Sequence, residues 1–96
     1  MSEEDSSYTL NISRHARDTL KHLDKPTASR IVKKLVWLAE NATSVAHGAL
    51  TGQWSGYYRI RIGNYRVLYL IDQEARVIDV AFIGHRKDIT ILSHHP

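Results

Sequence analysis

Arginine side chains are concentrated in one segment that also carries a strong hairpin signal. Residues 57–69 contain two runs of aromatic and branched residues, separated by the pair Gly63 and Asn64. Both residues of this pair tolerate positive φ, so the pair predicts a two-residue turn between antiparallel strands. A turn that tight places Arg61 directly opposite Arg66.

Strand alternation sorts the side chains of this hairpin onto two faces. One face carries Arg59, Arg61 and Arg66, and the other face carries Tyr58, Ile60, Ile62, Tyr65, Val67 and Tyr69. Like charges opposite one another destabilise a sheet, and no acidic residue lies between Trp54 and Asp72 to relieve them. We therefore expect an anion as the partner of these arginines. A solvated arginine face on an ordinary hairpin is the alternative.

The length and composition indicate one small globular domain. The chain has 96 residues, of which 43% are hydrophobic and 24% are charged. No apolar run reaches the ~18 residues that a membrane span needs. The first residues are acidic and polar, unlike a secretory signal, and the chain has no cysteine, so a cytoplasmic location without disulfides is expected. We predict a disordered leader at residues 1–7, a domain at residues 8–92 and a tail at residues 93–96.

The charge distribution favours an anionic partner. The formal net charge is +3, and it rises to +6 when Glu3, Glu4 and Asp5 of the predicted leader are left out. A body that basic prefers polyanions or an acidic protein. The six histidines are scattered, without cysteine or helical His-x-x-x-His spacing, so neither a metal site nor another cofactor is expected.

The order of predicted elements is β-α-α-β-β-β. A first strand at residues 8–12 is followed by Ser13, a suitable N-cap for a helix that ends near Leu23. A second helix starts at Pro26 or Thr27 and ends near Asn41, and residues 42–56 form a loop. After the hairpin come a turn at residues 72–75, a strand at residues 77–83 and a closing segment at residues 84–88. This order predicts an α+β fold in which an antiparallel sheet carries a two-helix hairpin on one face.

Trp37 is unusual within the second helix. Helical spacing places it with the basic side chains of Arg30, Lys33 and Lys34, away from the apolar stripe. Two explanations remain open at this point: the indole folds back over the first helix, or it takes part in a protein contact.

This element order and several motifs resemble the RelE toxins of the RelE/ParE superfamily. The motifs are Leu50-Thr51-Gly52, the run RIGNYRVLY that ends at Tyr69, and IGHRKDI, which begins at Ile83. The resemblance covers nearly the whole chain from Tyr8 to Ile91. It implies a type II toxin that enters the A site of the 70S ribosome and cleaves mRNA there, and that is inhibited in a hetero-oligomer by a cognate antitoxin.

The resemblance also assigns roles by position. Arg59 and Arg61 match two basic positions, often lysines, on a strand of RelE toxins, and Arg66 and Arg86 match two further arginines. One expected residue is missing, because many relatives have a base-stacking tyrosine where this chain reads Asp88-Ile89-Thr90. RNA or ribosome contacts are expected from Lys33, Lys34, Tyr57 and Lys87, and antitoxin contacts from Arg30 and Trp37.

RNA cleavage by the 2′-OH group requires stabilisation of phosphate charge and proton transfer, but no metal. Arginines suit the first task, since a guanidinium binds two phosphate oxygens and stays charged. Because a guanidinium keeps its proton, arginine is a poor base, so we assign proton transfer to His85. Two other functions remain open: a ParE-like topoisomerase poison without catalysis, and an inactive homologue that acts as an antitoxin-binding or repressor component.

Overall fold

The computed structural model describes residues 7–88. Two helices and five strands follow one another in the order β1 (Thr9–Ile12), α1 (Arg14–Lys21), α2 (Lys25–Glu40), β2 (Gly48–Ala49), β3 (Tyr58–Ile62), β4 (Tyr65–Asp72) and β5 (Val77–His85), with a short 3₁₀ helix at Gly52–Trp54. The α+β class and the sequence of main elements are as predicted. The ends predicted at residues 1–6 and 89–96 lie outside the described residues.

The strands form one sheet in the order β1-β5-β4-β3-β2. β3, β4 and β5 are antiparallel neighbours, whereas β1 runs parallel to β5. The expectation of a fully antiparallel sheet is therefore wrong at this edge. The first strand pairs with residues of β5 that lie 68 positions later in the chain. Hydrophobic alternation within a short strand carries no information about the direction of such a distant neighbour.

The predicted loop at residues 42–56 also contains more structure than expected. Gly48 and Ala49 pair with Arg59 and Tyr58 and form the edge strand β2. Gly48 lies close to the neighbouring strand, since a Cβ built on it would meet the carbonyl oxygen of Arg59 at 3.1 Å. A strand of two residues that contains a glycine leaves too short a pattern to be recognised from sequence.

Side-chain caps start both helices. The Ser13 hydroxyl accepts a hydrogen bond from the amide of Ala16, as predicted, and α1 ends at Lys21, two residues earlier than expected. α2 begins at Lys25, because the Asp24 carboxylate accepts from the amide of Thr27 and Pro26 occupies the first turn, where its missing N–H costs nothing.

The core lies between the helices and one face of the sheet. Buried residues of α1 and α2 pack on buried residues of β3, β4 and β5; they are Ala16, Ile31, Leu35, Leu38 and Ala39 on the helices and Ile62, Val67, Tyr69, Ile78, Val80 and Ile83 on the strands. The predicted packing of a helical hairpin on one sheet face is confirmed. The opposite face of the sheet is thereby left for the residues that point away from the helices.

The central hairpin has the predicted register. Arg61 pairs with Arg66 and Ile62 pairs with Tyr65 across the turn, and Gly63 has a φ of 60°. β5 continues two residues beyond its predicted end, to His85, and residues 86–88 are helical. A register irregularity between Leu68 and Tyr69 lets these long strands keep their core residues on the helix side.

Candidate functional site

Arginine side chains occupy the sheet face that the helices leave uncovered. Arg59 pairs with Leu68, and Arg61 pairs with Arg66, so all three arginines project from the same face. We call these three residues, together with Arg86 at the end of the sheet, the arginine face. The separation of arginines from the apolar side of the hairpin follows the sequence prediction.

Arg66 lies at the centre of this charge cluster. Its partial burial, followed by the positive charges of Arg61, Arg59 and Arg86, lowers the pKa of the Arg66 guanidinium. Its Nη1 donates to the carbonyl oxygens of Tyr65 at 3.0 Å and Gly63 at 3.1 Å. These bonds hold the guanidinium at the hairpin turn while it stays charged, which prepares it to bind an anion with little loss of side-chain entropy.

Arg86 follows β5 and is exposed. Its backbone amide donates to the carbonyl oxygen of Asn64 at 2.7 Å, so the end of β5 is joined to the turn of the hairpin. This bond brings Arg86 close to Arg66 although the two residues are far apart in sequence. The exposed Lys87 adds a further positive charge beside them.

His85 lies on a different face from the arginines. It pairs with Tyr65, whose side chain packs against the core, and the two rings meet edge to face at 5.4 Å. Its Nδ1 accepts a hydrogen bond from the amide of Lys87 at 3.2 Å. These contacts give the imidazole a structural role at the end of β5, and proton transfer by His85 stays a prediction.

A histidine that no sequence motif indicates lies beside the arginine face. Phe82 pairs with Leu68, which in turn pairs with Arg59, so Phe82 lies on the arginine face. His15, at the start of α1, stacks on Phe82 with a ring separation of 4.6 Å. Only the β4–β5 register and the docking of α1 beside β5 bring His15 here, and no local motif signals them.

Aromatic residues border the same face at the start of β3. Tyr57 precedes Tyr58 and is half-buried, and its ring meets that of Trp54 edge to face at 5.3 Å. The Nε1 atom of Trp54 is buried and has no hydrogen-bond acceptor within residues 7–88. Tyr57 lies two residues before Arg59 in the chain, and its contact with RNA stays a prediction.

A basic groove lies between α2 and the hairpin. Its volume is about 460 Å³, and its lining residues are Arg30, Lys33, Lys34, Trp37, Arg61, Ile62 and Gly63. Trp37 is 41% exposed and carries the Lys34 ammonium 4.0 Å from its ring centroid. The possibility that Trp37 folds back over α1 is therefore wrong, because the indole faces the hairpin. The groove therefore contains residues predicted to contact RNA or the ribosome, Lys33 and Lys34. It also contains residues predicted to contact the antitoxin, Arg30 and Trp37.

A polar and aromatic cluster attaches the β2 region to the sheet. His47 Nε2 lies 2.8 Å from the carbonyl oxygen of Ala42, and its Nδ1 lies 2.6 Å from the hydroxyl of Tyr69. A carbonyl oxygen can only accept a hydrogen bond. When His47 is neutral, its proton is therefore on Nε2, and the Tyr69 hydroxyl donates to Nδ1. Burial, with a smaller effect of Tyr58, raises the pKa of Tyr69 to about 12.

Within residues 7–88 no group of acidic, histidine or cysteine side chains is arranged to hold a metal ion. None of the described helices is both long enough and apolar enough to cross a bilayer. Thr90, at the position where the resemblance predicts a base-stacking tyrosine, lies outside the described residues.

The comparison with protein families identifies the class of this chain. Residues 10–90 match the family model described as the ParE toxin of type II toxin–antitoxin systems. The chain therefore belongs to the ParE toxin family, within the RelE/ParE superfamily. No curated protein matches the chain significantly.

Solved structures of RelE toxins share the fold. The RelBE2 toxin–antitoxin complex of Mycobacterium tuberculosis is similar, with 26% identity, a TM-score of 0.77 and coverage of 88% of this chain and 98% of that one. A free double mutant of Escherichia coli RelE has 25% identity, a TM-score of 0.71 and coverage of 91% and 92%. The RelE–RelB complex of Pyrococcus horikoshii has 25% identity, a TM-score of 0.67 and coverage of 83% and 96%.

Proposed function

We propose that this toxin is a ribosome-dependent endoribonuclease that cleaves mRNA in the A site without a metal ion. The observation that carries the proposal is the cluster of Arg59, Arg61, Arg66 and Arg86 on one open sheet face, close enough for the other three charges to lower the pKa of Arg66. Such a concentration of positive charge is costly for folding and suits the binding of a phosphodiester.

The arginines would stabilise the charge that develops on phosphorus. Arg61 and Arg66 face each other across the hairpin and form a clamp for the non-bridging oxygens of the scissile phosphate. Arg59 and Arg86 flank this clamp on the sheet and at the end of β5. Stabilisation of this kind is most effective where RNA is already held in line for attack, and mRNA bound to the ribosome would be held in that way.

Proton transfer is assigned to His85 as part of the same proposal. Arginine does not change its protonation near neutral pH, so the 2′-OH and the leaving 5′ oxygen need another group. His85 directly precedes Arg86, but its imidazole would have to leave its contacts with Tyr65 and Lys87 to reach the arginine face.

The remaining basic and aromatic residues would hold RNA and ribosome. Tyr57 borders the arginine face, Lys87 follows Arg86, and Lys33 and Lys34 line the basic groove. Their positive charges and their positions beside Arg61 or Arg86 support this role. A toxin that acts on ribosome-bound mRNA would work in the cytoplasm.

We also propose a cognate antitoxin of acidic or amphipathic character that binds α2 and neighbouring parts of the sheet. The similar structures from M. tuberculosis and P. horikoshii are toxin–antitoxin complexes. On α2 of this chain, exposed Trp37 lies beside Arg30, and Val32 and Val36 are also exposed. Aromatic, arginine and apolar side chains of this kind are common in protein interfaces.

The experiment that tests the nuclease is the sequencing of RNA 5′ ends after brief induction in cells. We expect new ends within translated codons, in frame with the ribosome, and no such ends in an Arg66→Gln strain. Growth arrest without new ends would overturn the nuclease assignment.

A ParE-like topoisomerase poison is the second candidate, and the match of residues 10–90 to the ParE family model favours it. A toxin of this kind would leave mRNA intact and cause double-strand breaks in DNA. Absence of both effects would favour a third function, an antitoxin-binding or repressor component.

A further inference from the structure

We propose that the basic groove between α2 and the hairpin is a binding site for one nucleotide of single-stranded RNA, next to the nucleotide on the arginine face. This inference rests on the proposed function and extends its RNA site by a second position. Arg30, Lys33 and Arg61 would hold the backbone phosphates, and Trp37 would contact the base.

Arg61 connects the groove with the arginine face. Its pairing with Arg66 puts it on the arginine face, and its side chain also lines the groove. β2 pairs only with Tyr58 and Arg59, so the Arg61 part of β3 lies beyond the end of β2. A strand of RNA can therefore pass from one surface to the other around this part of β3 while it remains in contact with Arg61.

The chemistry of the groove fits a nucleotide. Among residues 7–88, all the charged side chains that line it are positive, and a single aromatic ring, that of Trp37, lies among them. The volume of about 460 Å³ lies in the usual range of small-molecule sites. A positively charged groove with an aromatic platform is the general design of sites for single-stranded nucleic acid.

Local packing holds the side chains of Arg30 and Trp37 in position before a ligand binds. Nη1 of Arg30 would lie only 3.1 Å from a Cβ at position 63, so Gly63 leaves the space that this guanidinium occupies against the turn. The ammonium of Lys34 lies over the ring of Trp37 and restrains the indole. Both contacts reduce the entropy that ligand binding would cost.

The distribution of apolar residues favours RNA over a protein segment in this groove. Val32 and Val36, the other exposed large apolar side chains among the described residues, lie on a different stripe of α2 and do not line the groove. An amphipathic helix would need a continuous apolar strip, whereas the groove offers one ring surrounded by cations.

The test measures binding of a fluorescein-labelled hexa-adenylate by anisotropy. Its 2′-O-methyl groups prevent attack by the 2′ oxygen, so binding is measured without any cleavage. We expect Trp37→Leu to weaken binding about 10-fold or more and Trp37→Phe to restore most of the loss, because a base stacks on either aromatic ring. A strand of abasic units should bind both variants equally.

A matched pair of lysine variants distinguishes RNA binding in the groove from non-specific attraction of RNA to a positively charged protein. Lys33→Gln should weaken binding and reduce the slope of log affinity against log salt concentration by the equivalent of about one phosphate contact. Lys25 lies at the exposed start of α2 and outside the groove, so Lys25→Gln should leave the affinity and the slope unchanged.

Three results would overturn the proposal: Trp37→Leu binding like the wild type, an equal loss for Trp37→Leu on the abasic strand, and a Trp37-dependent affinity for hexaglutamate but not for RNA. Trp37-dependent RNA binding in a protein that produces no RNA 5′ ends in cells would support the groove and refute only the nuclease.

Discussion

Arg61 and Arg66 are register partners across the two-residue turn of the β3–β4 hairpin. Arg66 is held by carbonyl oxygens at the turn, whereas Arg61 is exposed and also lines the groove beside α2. One guanidinium of the pair is thus fixed and the other can adjust. This combination suits a phosphate clamp that opens toward an incoming strand.

Removal of charge at the clamp should separate function from stability. We predict that Arg61→Gln abolishes toxicity in cells and leaves the free energy of unfolding unchanged or higher by a few tenths of a kcal/mol, because it relieves repulsion with Arg66. Growth assays and urea denaturation measure the two effects. Arg14→Gln, an exposed change at the start of α1, is the matched control. Unfolding of the Arg61→Gln domain, or full toxicity, would contradict the clamp.

His85 can be tested with a variant that keeps its hydrogen bond. We predict that single-turnover cleavage on programmed ribosomes falls about 100-fold in His85→Ala. His85→Asn retains an acceptor for the Lys87 amide, so it should restore stability without restoring the rate. Recovery of the rate in His85→Asn would limit His85 to a structural role. A loss of rate of about 100-fold in His15→Gln, with His85→Ala cleaving at the wild-type rate, would instead assign proton transfer to His15.

Tyr69 should make stability sensitive to alkaline pH. The folded state holds the pKa of Tyr69 at about 12, whereas an unfolded tyrosine titrates near 10. The stabilisation is therefore fully present below about pH 10 and is lost as the pH rises toward 12, by about 1–3 kcal/mol. Denaturant titrations should show this steep decline in the wild type and a smaller one in Tyr69→Phe. At pH 7 the same variant should lose about 1 kcal/mol, because His47 loses its donor. An equal loss of unfolding free energy above about pH 10 in the wild type and in Tyr69→Phe would contradict the raised pKa of Tyr69.

Trp37 should also contribute to antitoxin affinity, because its exposed indole can contact an antitoxin that covers α2, in competition with RNA in the groove. Truncation of an exposed aromatic residue in an interface commonly costs more than 1 kcal/mol, so we predict that Trp37→Ala weakens the complex about 10-fold or more. Titration of purified toxin with its antitoxin measures the effect, with Lys25→Ala as the control outside the groove. An unchanged dissociation constant would remove Trp37 from the antitoxin interface.

The sequence predicted those parts of the fold that depend on local patterns. Gly63 and Asn64 defined a turn whose length sets the register, so the pairing of Arg61 with Arg66 followed directly. Ser13 capped α1 through a contact with Ala16, three residues away, which a local pattern is able to indicate. Turn length and strand alternation were therefore enough to predict that the hairpin arginines share one face.

The parts that failed depend on contacts between distant segments. The parallel pairing of β1 with β5 joins residues separated by more than half of the chain, and β2 is too short to show alternation. His15 reaches the arginine face only because α1 docks beside β5, while the alternation along β5 turns His85 toward Tyr65. Helical spacing placed Trp37 among the basic residues of α2 but left open whether its indole folds back over α1, because the groove that contains it needs the hairpin as a second wall.

The most direct test of the central claim is single-turnover cleavage of mRNA on programmed ribosomes by purified wild-type toxin and Arg66→Gln. We predict cleavage in the A-site codon by the wild type, at an unchanged rate when a chelator selective for transition metals is added and the Mg²⁺ that keeps the ribosome intact is retained. We predict a rate at least about 100-fold lower for Arg66→Gln, because the variant loses a fixed positive charge at the phosphate. Cleavage by Arg66→Gln at the wild-type rate, or no cleavage by a correctly folded wild-type toxin, would contradict the account.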